Sequence, residues 1–332
     1  MRPMGRRRCR PMRFLVAPDS FKGTFDAGAV AEAIASGLEE GGAEAELCPA
    51  ADGGEGTMDV LLAALGGERR RAAVHDPLRR PLEASFGLLG DGATAIVETA
   101  QASGLPLVAP AERDAERAGT FGTGELIAAA VEAGARRVLL AVGGSASTDG
   151  GAGAIEALRG AGLLGRVEIE VLCDVSAPYE DAARLFAPQK GADAAAVERL
   201  TARLDVLAAE LPRDPRGLPM GGCAGGLSGG LWAYGAQLRA GAAFVLDAID
   251  FDARLARANA VVSGEGRFDS QSLAGKVVGE IAERCGAAGK PLHLVVGGTA
   301  EEMEPPAAIS SITRAESREE MRQAGRDLAP ER

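Results

Sequence analysis

The sequence predicts an α/β protein: a parallel, Rossmann-like sheet domain formed by both chain ends, with a mixed-sheet α/β domain inserted between them. Three observations predict it. The chain opens on two strand–loop–helix units, the rhythm turns to closely spaced strands in the middle, and the first rhythm returns near Phe244. The boundaries read this way are 13–70 plus 244–332 for the parallel domain and 71–243 for the insertion. Residues 1–12 carry five arginines and no following apolar stretch of the ~7–15 residues a signal peptide needs. They read as a disordered arm or as a mis-assigned start upstream of Met12.

Each element has a local reason. Phe14-Leu15-Val16-Ala17 is a short apolar strand. Asp26 can cap a helix carrying Val30, Ile34 and Leu38, stopped by Gly41-Gly42. Ala45–Cys48 is a second strand, and a helix with Met58, Leu61, Leu62 and Leu65 ends at Gly66-Gly67. Arg71–Val74, Leu82–Leu89 and Thr94–Thr99 then read as successive strands. Thr123 is a plausible cap for the next helix. Leu139–Val142 is an apolar run that ends in a glycine pair, and Ala154, Ile155 and Leu158 begin a helix after it. Glu168–Cys173 is a strand, Asp193 caps a helix with Val197, Leu200 and Leu204 inward, and Met220–Gly230 opens a helix expected to run through Leu238. Ala260–Ser263 and Pro291–Val296 are strands, and Ser317-x-x-Glu320 is a capping box for a terminal helix.

Composition excludes several function classes. The chain has 332 residues and a net charge of −11, so a phosphate-backbone partner is disfavoured and no nucleic acid is expected. No apolar run approaches the roughly 18 residues of a membrane span. Five scattered cysteines with no Cys-x-x-Cys, and only two histidines, argue against a zinc site or a disulfide framework and fit a reducing cytoplasm. No Walker A motif, Gly-x-Ser-x-Gly elbow or histidine triad is present. The one G-x-G-x-x-G match, Gly160 to Gly165, follows a helix rather than a strand and is in the wrong place for a dinucleotide.

What remains is a set of polar loops at strand ends, where open parallel sheets bind ligands. They carry Asp19, Ser20 and Lys22; Asp52 and Glu55; Gly143, Gly144, Ser145, Thr148 and Asp149; Gln189 and Lys190; and Glu265, Asp269, Gln271 and Lys276. Glycine amides and hydroxyls at a strand-to-helix turn make an anion cradle. Carboxylates without histidine suit magnesium, which bridges phosphates, and lysines suit a transferring phosphoryl group. A carboxylate can also take the proton of an attacking hydroxyl. For Asp26, Asp174 and Asp193 a cap, turn or solvated charge is explanation enough.

With these motifs in order, the chain resembles the bacterial two-domain glycerate kinases, of the glycerate 2-kinase type, from about Met12 to about Thr299. The resemblance rests on Ala17–Gly23, Ala51–Thr57, Gly122–Ile127, Gly143–Gly153, Phe186–Ala192, Gly225-Gly226-Leu227 and Gly264 through Lys276. It implies transfer of the γ-phosphoryl group of ATP, with Mg2+, to D-glycerate at the 2-hydroxyl, in a cleft between the two domains that closes against water. By the same resemblance Lys22, Asp52, Asp269 and Lys276 are catalytic candidates. Asp19, Ser20, Gly143, Gly144, Ser145, Thr148, Asp149, Gln189, Lys190 and Gln271 are candidates for holding substrate or phosphate, and Glu55 and Asp269 for magnesium. The chain departs from the family pattern at Thr148, where asparagine is usual, in shorter stretches at Leu164–Val167 and Ala177–Ala183, and after Thr299, where the short, atypical region is weak ground for a late strand and helix. The alternative reading is a non-catalytic or altered-substrate member that binds another small hydroxy acid or a nucleotide.

Overall fold

A computed structural model describes residues 11–273, 275–300 and 307–330; residues 1–10 of the expected arm lie outside them. The chain runs β1 (Arg13–Val16), α1 (Ala27–Glu40), β2 (Glu44–Leu47), α2 (Thr57–Leu65), β3 (Gly67–His75), β4 (Pro81–Leu89), β5 (Thr94–Glu98) and the short α3 (Ala100–Ser103). It continues through α4 (Phe121–Glu132), β6 (Arg137–Ala141), α5 (Ala152–Gly160), β7 (Glu168–Cys173), α6 (Ala182–Phe186), α7 (Ala194–Glu210), α8 (Cys223–Ala233), β8 (Gln237–Ala240) and α9 (Gly241–Ala248). It closes with α10 (Phe251–Arg257), β9 (Ala260–Glu265), α11 (Val277–Ala288), β10 (Leu292–Val296), β11 (Ile309–Arg314) and α12 (Arg318–Leu328). No helix among the described residues is long and apolar enough to cross a membrane.

Two compact units divide the chain: residues up to Pro49, Asp250–Leu273 and the stretch from Val278 onward form one, and Ala50–Ile249 with the few residues ending at Val277 form the other. The first unit holds a five-stranded sheet in the order β11-β10-β9-β1-β2, with every pairing parallel. Its core sets Phe14 and Val16 of β1 and Val262 of β9 against Val30, Ile34 and Leu38 of α1. Asp26 caps α1 by accepting from the Ala29 N–H at 2.7 Å.

The short C-terminal stretch keeps a strand, and after it the terminal helix that the Ser317-x-x-Glu320 box predicts. β11 pairs with β10, and Ser317 caps α12 by accepting from the Glu320 N–H at 3.3 Å. Met321 and Ala324 of α12 are buried in the core, and α12 meets α1 at two glycines. A β-carbon on Gly37 would overlap the Arg322 carbonyl, and one on Gly325 the Ile34 carbonyl. Burial of this short apolar stripe holds an otherwise very polar helix.

The second unit holds a six-stranded mixed sheet, β3-β4-β5-β6-β7-β8: antiparallel from β3 to β5, parallel from β5 to β8. Its limits differ from the 70 and 243 read from the sequence. α2 packs on β4 and β5, and the Gly53 carbonyl accepts from the Val142 N–H at 2.8 Å. The Asp52 loop and α2 therefore belong with the mixed sheet, as do residues 244–249. The apolar face of α2 could serve either sheet, so its pattern alone carries no choice. A second difference lies after Met220. The helix ends at Ala233, Gly235 turns the chain at φ 107°, and Gln237–Ala240 pairs with β7 as a strand.

Candidate active site

In the parallel unit, the loops at the carboxyl ends of β1, β9 and β10 meet. The Asp19 N–H donates to the Gly264 carbonyl at 2.8 Å, so the first loop follows β9 past the end of its own strand. Asp19 is buried, and its Oδ1 accepts from the Ser20 N–H at 2.6 Å. The chain then folds on itself: the Phe21 N–H bonds to the Phe25 carbonyl at 2.8 Å. Buried Phe21 anchors this turn and leaves Lys22 exposed at its tip. Gly266 runs alongside; a β-carbon there would stand 3.3 Å from Phe21 Cα and 3.5 Å from the Lys22 nitrogen. The Phe268 N–H donates to the Gly298 carbonyl at 2.9 Å, which ties in the third loop. Glu265 is buried and Asp269 half-buried, its N–H donating to Ser272 Oγ at 2.9 Å. The Gln271 side chain lies outside the described residues. Lys276 is half-buried and groups with the second unit rather than with the Glu265–Asp269 loop.

In the mixed unit, the turn after β6 is built by close backbone approaches. A β-carbon on Gly143 would lie 2.6 Å from Gly54 Cα and 3.3 Å from Asp174 Oδ2. Only glycine brings the Asp52 loop, the turn and Asp174 this near one another. Asp52 is 1% exposed and its Oδ1 accepts from the Gly54 N–H at 3.0 Å. Gly144 is exposed at φ 74°, and Ser145 beside it is buried.

Behind Ser145 sits Lys190, 3% exposed, carried by the turn after α6. Its Nζ donates to Ser145 Oγ at 3.0 Å and to the Ser147 carbonyl at 2.5 Å. Burial lowers the ammonium to about 8, against the pull of the Asp149 and Asp174 carboxylates, which favour it. Ser147 Oγ and Thr148 Oγ1 are fully buried and find no hydrogen-bond partner among the described residues. The Gly-rich start of α8 presses on this turn from outside. Ala224, Gly225 and Gly226 are all left-handed, and a β-carbon on Gly225 would overlap the Ser147 carbonyl.

Asp149 has a different occupation from the one its motif suggests. Its Oδ2 accepts from the Thr120 N–H (2.8 Å), Thr120 Oγ1 (2.9 Å) and the Gly153 N–H (3.1 Å), and its Oδ1 from the Gly151 N–H (3.1 Å). It joins the starts of α4 and α5. Thr123, read as a cap, instead donates to Ser103 Oγ at 2.8 Å. Glu55 and Gln189 are exposed.

Two acids escaped the sequence reading of the site. Glu98, at the end of β5, accepts from the Gly56 and Met58 N–H groups at 2.9 and 2.8 Å. It caps α2 and fixes the Asp52–Gly56 loop, and burial raises its carboxyl above the usual range. Its one signal was an acid closing the run Ala95-Ile96-Val97. Asp174, read as a turn former, stands beside Gly143 and favours the Lys190 ammonium.

Among the described residues no three His, Cys, Asp or Glu side chains gather as a metal cage. Isolated carboxylates at loop tips instead fit a magnesium ion that arrives with most of its ligands supplied by phosphates and water.

The sequence profile of the glycerate kinase family matches residues 14–165 and 160–329. The chain is similar to the glycerate 2-kinase of Escherichia coli K12, at 37% identity over 88% of this chain and 87% of that one. It is similar to the glycerate kinase of Bacillus subtilis 168, at 40% identity over 80% of this chain and 79% of that one. It also resembles a crystal structure described as that of a glycerate kinase 2 from Salmonella typhimurium LT2, with a TM-score of 0.81, 34% identity, and 96% and 97% of the two chains covered. By fold, motif order and likeness along almost its whole length, this chain belongs to the glycerate kinase family.

Proposed function

We propose that this protein is an active glycerate kinase that transfers the γ-phosphoryl group of ATP to the 2-hydroxyl of D-glycerate, in the cytoplasm. The observation that carries the reading is the family match from residue 14 to 329, with relatives named for this activity covering four fifths of the chain or more. The geometry supports it. Lys22 and Lys276 offset phosphate charge, which a largely electrostatic transfer requires. Asp19 and Ser20 shape the loop that presents Lys22, and Ser145, Thr148 and the neighbouring amides hold phosphate or the glycerate carboxylate. Asp52 or Asp269 takes the proton of the attacking hydroxyl. Asp269 or Glu55 would hold a magnesium ion brought in with the nucleotide, and that ion would offset the charge on the phosphate groups. The four described cysteines are buried and free, in keeping with a reducing compartment.

A coupled assay for ADP, run with Mg-ATP and a panel of small hydroxy acids, tests the reading. Turnover should depend on D-glycerate. Lys22→Ala and Asp269→Ala should each lower kcat/KM at least about tenfold, roughly 1.4 kcal/mol. Thermal stabilisation by ligand without ADP release would favour the non-catalytic alternative, and wild-type rates in both variants would remove those two role assignments.

A further inference from the structure

Lys190 is buried, yet its two hydrogen-bond partners are neutral: the Ser145 hydroxyl and the Ser147 carbonyl. An ammonium group only donates, so Ser145 Oγ must accept from it. The Ser145 proton is then turned away from Lys190, and no acceptor for it appears among the described residues. Ser145 follows exposed Gly144 at the end of β6, so that proton is placed next to the accessible edge of the turn. We propose that Lys190 is a positioning residue that acts through Ser145, fixing its hydroxyl as a donor to a singly charged carboxylate, that of the hydroxy acid being phosphorylated. The proposal rests on the glycerate kinase reading above and names the anion held at this turn.

Charge favours a carboxylate over a phosphate group. The ionised groups around Lys190 are Asp149, from the turn before α5, and Asp174, after β7; both favour the ammonium. Arg203 of α7 is engaged with the Thr148 and Glu116 carbonyls. Tyr179, packed against the same turn at Gly150, has its phenol raised by burial and remains neutral at these pH values. The carbonyl partners of Arg203 leave its charge in place, so two carboxylates face two cations and the turn holds no surplus of positive charge for a multiply charged phosphate, whereas a singly charged carboxylate asks less of it. The same burial sets a pH ceiling. With the amine at about 8, Lys190 is charged below that pH and largely neutral above it. A neutral amine can accept the Ser145 proton, which withdraws the donor from the ligand. Ligand binding favours the charged form, so above pH 8 it must draw in a proton.

The test uses the full chain, D-glycerate and inorganic phosphate. Titration calorimetry at pH 8.5, in buffers of different ionisation enthalpy, should show D-glycerate binding with proton uptake. KM for D-glycerate should rise at least about fivefold between pH 7 and 9.5, while kcat changes less. Lys190→Arg restores a permanent donor and should remove both the proton uptake and the rise in KM. Ser145→Ala, which leaves Lys190 in place, should raise KM about tenfold. Glycerate turnover with a KM that is flat with pH, or that rises equally in Lys190→Arg, overturns the role of Lys190 and leaves the kinase reading standing. Proton-linked binding of inorganic phosphate but not of D-glycerate overturns the carboxylate. Neither binding nor turnover of D-glycerate overturns both.

Discussion

Asp149 sits in the middle of the Ser145–Gly153 turn, where its motif suggests a ligand contact, yet both its oxygens are spent on the protein. It holds the Thr120, Gly151 and Gly153 N–H groups and the Thr120 hydroxyl. Removing it leaves several buried donors without an acceptor, at about 1–3 kcal/mol each before relaxation. Asp149→Ala should therefore lower the denaturation midpoint strongly, with a loss of about 3 kcal/mol or more in urea unfolding, and Asp149→Asn should lose less. An alanine variant of unchanged stability would show that these bonds do little. Asp149 and Lys190 also mark what the sequence made legible. Residue type and loop position single out both, Asp149 in a Gly- and Ser-rich turn after an apolar run and Lys190 between Gln189 and Gly191. Which of them faces inward depends on partners far along the chain, Thr120 for one and Ser145 for the other. Glu98 was missed for the same reason: its partners are the Gly56 and Met58 amides, some 40 residues away.

α8 begins on three left-handed residues in a row, a conformation that costs a non-glycine residue roughly 1–2 kcal/mol. Ala224 is one of them, at φ 50°. The strain has a use, because this bend lets Gly225 and Gly226 lie against the Ser147–Gly150 backbone. The Gly150 N–H donates to the Gly225 carbonyl at 3.0 Å. Gly225→Ala would push a methyl group into the Ser147 carbonyl, the acceptor of Lys190. The variant should lose about 3 kcal/mol or more by overpacking and left-handed strain together and should raise KM for the acid more than it lowers kcat. Circular dichroism melts and steady-state kinetics on the same preparation read both, and a variant matching wild type in each would separate this bend from the site. The glycine cluster is conspicuous in the sequence, where it reads as the opening of a long helix. A run of small residues gives no hydrophobic period, so neither the bend nor the strand at Gln237–Ala240 could be seen in it.

The molecule is two α/β units of different sheet type, and the alternation of strands and helices foretold both. The limits of the units were less visible. A β-loop-α unit looks alike whichever sheet it covers, and the Asp52 loop with α2 proved to cover the mixed one. The C-terminal stretch shows the same limit from the other side: its sequence is atypical, yet Met321, Ala324 and the Gly37–Gly325 crossing are enough to dock a strand and a helix. Each unit presents charged loops at the carboxyl ends of parallel strands, and the chemistry proposed for them is phosphoryl transfer to a hydroxy acid. The most direct measurement incubates the full chain with magnesium, D-glycerate and ATP labelled on the γ-phosphate, and follows the label. The label should appear on glycerate as a phosphoglycerate, at a rate that falls with Lys22→Ala. Label that stays on the nucleotide, or that leaves only as inorganic phosphate whether or not D-glycerate is present, would contradict that chemistry.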